Sequence, residues 1–453
     1  MKKYTLLLAG ILFTFSPVFS QVIIRRDSTI EDMVQEISRA RIKQDIQTLV
    51  DFHTRHTLST QTNPKEGVGA AWNWVKVEME KSIPESNGRL SVYFDNYTLT
   101  PKDPRVTRTV HLKDVVAVLK GTNPNDTRMF LVSAHLDSRG DDINDSTSYE
   151  PGADDDGSGV AAILEMVRIM SKHQFSGTIV FTVVTGEEEG LYGSKHIAEE
   201  AKAKNWNLVA MLNNDMIGQG RSDGTLLSNN MTVRVFSEGV PAFETPKMAK
   251  LRAFIAGEND SKARELARYV KEVGQRYVDQ LTVKLVYRPD RYGRGGDQYY
   301  FSKLGFTAVR ICESHENYDH THKVPRMENG VQLGDLPQYV DYEYVRKNTG
   351  INLATLANLA MAPYEPQDTK VQIFDLTNST TLTWDAPTKG VKPAGYYVLM
   401  RETDQPMWQQ KFYVEGNKVT LPYSKDNYIF AVQSVDSQGH ESLPVIPLPQ
   451  FRK

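Results

Sequence analysis

Apolar residues recur along this chain at two different periods, and the place where one gives way to the other divides it. In the first three quarters, short apolar runs at 115–119, 129–134, 179–184 and 208–212 end on polar or turn-forming residues, as buried strands do. Between them, 159–170 sets Val160, Ile163, Leu164 and Val167 at helical spacing, and 192–200 reads as a further helix. Strands alternating with helices predict an α/β domain with a mostly parallel central sheet flanked by helices.

The pattern changes near 361–369, where an Ala/Leu-rich helical stretch ends. Pro363 and Pro366, followed by polar Gln367 and Asp368, predict a linker over 363–368. Beyond it the signal is strands only, at 371–376, 381–384, 396–400, 418–421 and 428–435, which predicts an all-β sandwich over 369–453. With Trp384 early and the run YIFAVQSVDSQGHES beginning at Tyr428, this part resembles a fibronectin type III module. Such a module implies binding or stabilisation, through contact with carbohydrate, protein or a surface. Strand pattern alone does not name a ligand.

The first residues carry a different signal. Lys2 and Lys3 precede a nearly uninterrupted apolar run from Tyr4 to Phe19, with small residues near Ser20–Gln21. This predicts an export signal over 1–20 and a secreted or periplasmic protein; a membrane anchor is the alternative, for which the run is short. No later stretch is long and apolar enough to span a membrane. About 430 residues remain, enough for two domains, the first covering 21–362. The formal charge of -3 becomes -5 without the two early lysines, and basic runs are lacking, which argues against nucleic acid as a partner. Cys312 is the single cysteine, so no intramolecular disulfide can form.

Chemistry-bearing residues gather just after the predicted strands. One strand runs into His135-Leu136-Asp137-Ser138, another into Thr185-Gly186-Glu187-Glu188-Glu189-Gly190, and a third into Asn213-Asn214-Asp215-Met216. A fourth group, Pro151-Gly152-Ala153-Asp154-Asp155-Asp156-Gly157, precedes a helix. Ligands in open α/β sheets collect beyond the carboxyl ends of strands, so these groups can converge. Converging carboxylates repel and raise one another's pKa unless a cation compensates. Histidine with Asp and Glu suits zinc, and a metal pair suits hydrolysis. Taken singly, each group reads equally well as helix caps or turn residues.

The motifs HLDS, PGADDDGSG, GEEEGLYGS and NNDMIG, in this order, resemble those of peptidase family twenty-eight, which includes secreted bacterial zinc aminopeptidases; the likeness covers roughly 30–360. The resemblance implies a zinc exopeptidase fold, two Zn2+ ions, a bridging water and a peptide substrate. It implies His135, Asp155 and Asp215 on one zinc, with Asp155 shared, and Glu188 plus a late histidine on the other. Glu187 would be the general base, and Asp137 would orient His135 through its second ring nitrogen. In His315-Glu316-Asn317-Tyr318-Asp319-His320-Thr321-His322, His322 fits the motif from its tyrosine onward, while an HT-like step points to His320. His315 reads as a surface residue.

Neighbouring residues have more modest expectations. Asp154 and Asp156 read as turn and helix-start groups, and Glu189 as a solvated acid. Asp297 resembles a segment that lines the site, with Gln298 in place of a histidine, and Tyr292 lies one residue out of register with a tyrosine that serves in some relatives. The expected activity is an aminopeptidase. Rivals of the same fold are a carboxypeptidase, for which Arg291, Arg294 or Arg310 could receive a terminal carboxylate, and a glutaminyl cyclase. A binding protein with an inactive peptidase fold is the rival of another class.

Overall fold

The computed structural model describes Ile24 and residues 26–451, so the expected export signal lies outside the described residues. An eight-stranded sheet forms the centre: β1 (Leu90–Leu99), β2 (Val110–Leu119), β3 (Arg128–His135), β4 (Thr178–Val184), β5 (Asn207–Asn214), β6 (Thr232–Phe236), β7 (Thr282–Val286) and β8 (Ala308–Glu313). Their spatial order is β1-β2-β4-β3-β5-β8-β6-β7. The middle four strands, β4-β3-β5-β8, are mutually parallel. Antiparallel joins add β1 and β2 on one side and β6 on the other.

Both faces of β3, β4 and β5 are covered, which is why they read as apolar runs, whereas β8 carries Arg310 in mid-strand. Phe130, Val132 and Ala134 of β3 and Ile179, Phe181 and Val183 of β4 face the larger core cluster. Leu131, Val180 and Val184 face the smaller one, as the period of two requires. The larger cluster is closed by α1 (Ser28–Gln35), α2 (Arg39–Val50), α3 (Gly67–Glu80), α4 (Gly157–Met170), α7 (Lys262–Tyr277) and α9 (Tyr342–Met361). On the smaller side lie α5 (Tyr192–Ala203) and α8 (Gln298–Lys303), while α6 (Pro246–Phe254) buries none of its residues. Among the described residues no helix is long and apolar enough to cross a membrane.

After α9 the described residues form strands only: β9 (Gln367–Gln372), β10 (Thr380–Asp385), β11 (Gly395–Glu402), β12 (Gln410–Val414), β13 (Lys418–Leu421), β14 (Tyr428–Val435) and β15 (Leu448–Gln450). They make a four-stranded sheet, β13-β10-β9-β15, and a three-stranded sheet, β12-β11-β14. Leu382, Trp384 and Leu421 of the first pack with Tyr396, Val398, Phe412 and Val432 of the second. The expected strand 371–376 lies earlier, at β9, and Leu376 is fully exposed. The expected linker 363–368 is correspondingly shorter, since Gln367 already pairs with Asp385. Its start is also fastened: Arg128 donates to the carbonyls of Ala362 and Pro363 at 2.7 and 2.9 Å and stacks on Tyr364.

The strand unit sits against α7 through buried charges. Arg276 donates to Glu441 from both terminal nitrogens, and Tyr269 Oη donates to the Glu441 carbonyl at 2.7 Å. Arg401 meets Asp260 at 2.5 Å, and Trp408 Nε1 donates to Glu265 at 3.1 Å.

Candidate metal centre

Because β3, β4, β5 and β8 are parallel, their carboxyl ends open on one edge of the sheet, and the polar groups following them meet there. His135 closes β3, and its main-chain N–H donates to Asp156 Oδ2 at 3.1 Å. Asp156 also caps α4, accepting from Gly159 N at 3.0 Å, and receives Met216 N at 3.3 Å. One carboxylate thus ties three of the four groups together. The loop after β4 hangs on Thr185, whose N–H donates to Asp114 at 2.8 Å and whose hydroxyl accepts from Trp72 Nε1 at 2.8 Å. Gly186 then turns at φ +83°, a region that favours glycine.

Two triads result. His135 Nε2 lies 3.1 Å from Asp155 Oδ1 and 3.9 Å from Asp215 Oδ1. His322 Nε2 lies 3.1 Å from Asp155 Oδ2 and 3.1 Å from Glu188 Oε1. Asp155 therefore presents one oxygen to each triad, and within each triad all donor atoms lie within 4.8 Å of one another. Tetrahedral zinc with ligands at ~2.0–2.1 Å sets neighbouring ligand atoms ~3.3 Å apart, so this spacing suits such an ion. Three protein donors per triad leave a fourth position for water or substrate. Glu188 Oε1 is buried, with the His322 ring as its close polar neighbour at 3.1 Å, a donor set that suits a cation shared between them.

The electrostatics point the same way. Burial opposes a charged His135, yet its bond to Asp155 and the charges of Glu187, Asp156 and Asp215 raise its pKa well above the ordinary value. For His322 burial is likewise outweighed by Glu188 and Asp155, and the pKa is pushed up to about 9. Burial works to raise Asp155, but its bonds to the two imidazoles hold it well below the carboxylate range. Burial lifts Asp215, with Arg310 opposing at 2.7 Å. Glu187 keeps some solvent contact, but the protein around it pushes its carboxyl well above the ordinary range. The buried carboxylates thus favour positive charge at this place, which is what a metal pair held by these residues would supply.

His320 is elsewhere: its Nδ1 bonds Gln219 Oε1 at 2.7 Å and its ring stacks on Tyr339. His315 lies outside both triads. Asp137 differs from expectation, because His135 Nδ1 meets its main-chain carbonyl at 3.0 Å, with the carboxylate at 3.9 Å. The carboxylate instead accepts from Gly186 N at 2.8 Å and Glu188 N at 3.0 Å. Glu189 is not solvated but fully buried, 3.3 Å from His56 Nε2; burial raises the acid and lowers the imidazole, which favours both as neutral groups. Asp154 departs from the expected turn role: its carboxylate makes a long-range contact, accepting from Gly218 N at 2.7 Å, and burial lifts it to about 6. Asp297 is buried beside Ser133, its pKa lifted by burial to about 7. Tyr292 is 85% exposed beneath the Arg288 guanidinium. Arg310 is fully buried on Asp215 and Asp290, which removes it as a receptor for a terminal carboxylate.

Two supporting residues carry no motif in the sequence. Asp335 Oδ2 accepts from Asp154 N and Asp155 N, both at 2.8 Å, and so sets the shared ligand. Arg55, fully buried, donates to the carbonyls of Leu136, Pro151 and Gly152 and fastens the His135 loop to the Asp155 loop. The triads open into a cleft of about 380 Å³, walled by Asp155, Glu187, Glu188, Asp215, Met216, Leu191 and His322 together with Arg105, Arg139, Arg291 and Arg294.

The family model for peptidase family M28 matches residues 114–325. A probable zinc metalloprotease of Leptosphaeria maculans is 40% identical over 424 residues, 93% of this chain and 97% of its own length. One from Pyricularia oryzae is 41% identical, over 93% of this chain and 85% of its own. The fold is similar to that of the LapA aminopeptidase of Legionella pneumophila, with a TM-score of 0.53 at 19% identity, covering 77% of this chain and 78% of that one.

Proposed function

From the premise that the chain belongs to peptidase family M28, we propose that it is an exported two-zinc exopeptidase that removes residues from the free N-terminus of peptides. The observation that carries this reading is Asp155, offering one oxygen to each of two histidine–carboxylate triads. His135, Asp155 and Asp215 would hold one zinc, and Asp155, Glu188 and His322 the other. Zinc in such a site acidifies water and polarises the carbonyl to be attacked. Glu187, on the cleft wall, takes the proton of the attacking water and returns it to the leaving amine. Asp137 sets the loop that carries both glutamates, and Arg310 holds Asp215 in place.

Export rests on the Lys2–Lys3 start and the apolar run after it. The two sheets sharing one core support a fibronectin type III-like reading of the C-terminal unit. The deciding experiment incubates zinc-loaded protein with a C-terminally amidated peptide, its N-acetylated form and an N-terminal glutamine peptide. Stepwise shortening of the first and survival of the second are expected. Cleavage that ignores acetylation, or cyclisation of glutamine without water consumption, would refute the aminopeptidase reading.

A further inference from the structure

The cleft beside the triads has a charge composition that the hydrolytic machinery does not explain. Its acidic wall groups are Asp155, Glu187, Glu188 and Asp215, all assigned above to metal binding or proton transfer, yet four arginines face the same 380 Å³ space. Each arginine's own partners decide how much of its charge is free. Arg105 is held by Asp103 in a two-toothed pair at 3.1 and 3.0 Å, and so is balanced. Arg291 is anchored by Asp290 at 3.2 Å and Glu316 at 2.7 Å. The other two differ. Among the described residues Arg139 has only Glu188 as an ionic neighbour, at 4.0 Å, and its Nε is buried without a hydrogen-bond acceptor. Arg294 is exposed on the rim, with its guanidinium 5.7 Å from the Tyr318 ring.

A buried guanidinium N–H without an acceptor is costly, and it gains when a ligand brings one. Two divalent ions on the acidic groups would leave Arg139 and Arg294 with no negative charge inside the cleft to answer them. A substrate carboxylate would supply it, and arginine's planar fork suits that group. Resting on the exopeptidase reading, we propose that Arg139 and Arg294 make this cleft selective for peptides that carry a carboxylate next to the scissile bond. The carboxylate has two possible sources, an acidic side chain at that position or the terminal carboxylate of a very short peptide.

The test uses zinc-loaded full-length protein and matched acid–amide pairs. Glu-Ala-Ala-amide against Gln-Ala-Ala-amide, and Ala-Glu-Ala-amide against Ala-Gln-Ala-amide, probe side chains, while Leu-Ala against Leu-Ala-amide probes the terminus. In at least one pair the acid is expected to be favoured ~10–100-fold in kcat/KM, the range of one or two charge-assisted bonds. Arg294→Glu should abolish or invert that preference, and Arg139→Gln should lower it, with zinc content measured on both. Calorimetric titration with glutamate against glutamine gives a readout without turnover. Acid and amide members equal within about threefold in every pair, with equal glutamate and glutamine binding, would overturn the proposal. If no peptide is cleaved but glutamate binds better in an Arg294-dependent way, the exopeptidase reading falls and the carboxylate site stands.

Discussion

The ring of His135 is oriented by Asp137 through its main-chain carbonyl, at 3.0 Å from Nδ1, and not through its carboxylate. The carboxylate is engaged with the N–H groups of Gly186 and Glu188, on the loop of the second triad. The two triads are thus linked by one residue that uses different atoms toward each. Asp137→Asn should leave the His135 ring where it is, since the carbonyl remains. It should set an amide N–H against a main-chain N–H and disturb the loop holding Glu187 and Glu188. The expected result is weaker binding of the second zinc by ~10–100-fold, with the first changed little. Stepwise metal titration reads this directly, and selective loss of the His135 site would contradict it.

The adjacent acids should separate in the same kind of experiment. Glu187→Gln keeps shape and removes the proton acceptor, so two metals should remain while kcat falls ~10²–10⁴-fold. Glu188→Ala removes a donor that lies 3.1 Å from His322, and should lose the second metal and its activity together. Near-normal turnover by folded, metal-loaded Glu187→Gln would remove Glu187 from the role of base.

Asp335 supports the ligand that both triads share. Asp335→Ala removes the acceptor for Asp154 N and Asp155 N, so both zinc affinities should drop together, by ~10–100-fold. Chelation of the parent protein should remove both ions and stop peptide cleavage, and re-addition of zinc should restore it with release of protons. A variant that weakens only one site would show that Asp335 does not act through Asp155.

Much of this arrangement was legible because the residues concerned end buried strands. Apolar runs stop where the sheet stops, so His135, Thr185 to Glu188, and Asn214 with Asp215 could be read as sharing an edge. The supporting contacts were not legible, since Asp335 lies 180 residues from Asp155 and Arg55 acts on carbonyls, which leave no side-chain pattern. Glu189 misled for the same reason: the segment bearing His56 packs over it from far away in sequence. Of the two late histidines weighed by motif register, His322 reaches Asp155 at 3.1 Å while His320 stacks on Tyr339, a difference of tertiary contact that two neighbouring positions do not announce. Strands β1, β6, β7, β8, β12 and β15 escaped the apolar pattern: β1 alternates with polar residues, β8 carries Arg310 in mid-run, and β12 and β15 are short runs with polar residues such as Gln410 and Gln450.

The contact between α7 and the strand unit changes what truncation should do. A chain ending near Tyr364 keeps every triad residue, and it should bind metal if it folds. It would also strip Arg276 of Glu441 and Glu265 of Trp408, exposing charges now buried. Breaking one buried ion pair commonly costs about 3–5 kcal/mol, so the truncated protein should melt well below the full chain. Calorimetry on both forms checks this; equal melting temperatures would mean that the interface adds nothing.

The same interface should respond to acid through Glu441. Burial alone would raise this carboxyl, but Arg276 and Lys411 outweigh it and hold its pKa at about 2. An unfolded glutamate titrates near 4.3, so the folded state favours the ionised form. A depressed folded pKa gives stability that is present above about 4.3 and fades as pH falls towards 2, by about 3 kcal/mol in all. Glu441→Gln removes the ionisation while keeping the size. The variant should therefore be less stable than the parent at pH 7, and the gap should close between about pH 5 and pH 2 as the parent's Glu441 takes up its proton. Urea midpoints for both proteins across that range are the measurement, with limited proteolysis at 363–366 as a local reading of loosening. A gap that stays constant from pH 7 to pH 2.5 would show that the Arg276–Glu441 pair is not what couples acid to the interface.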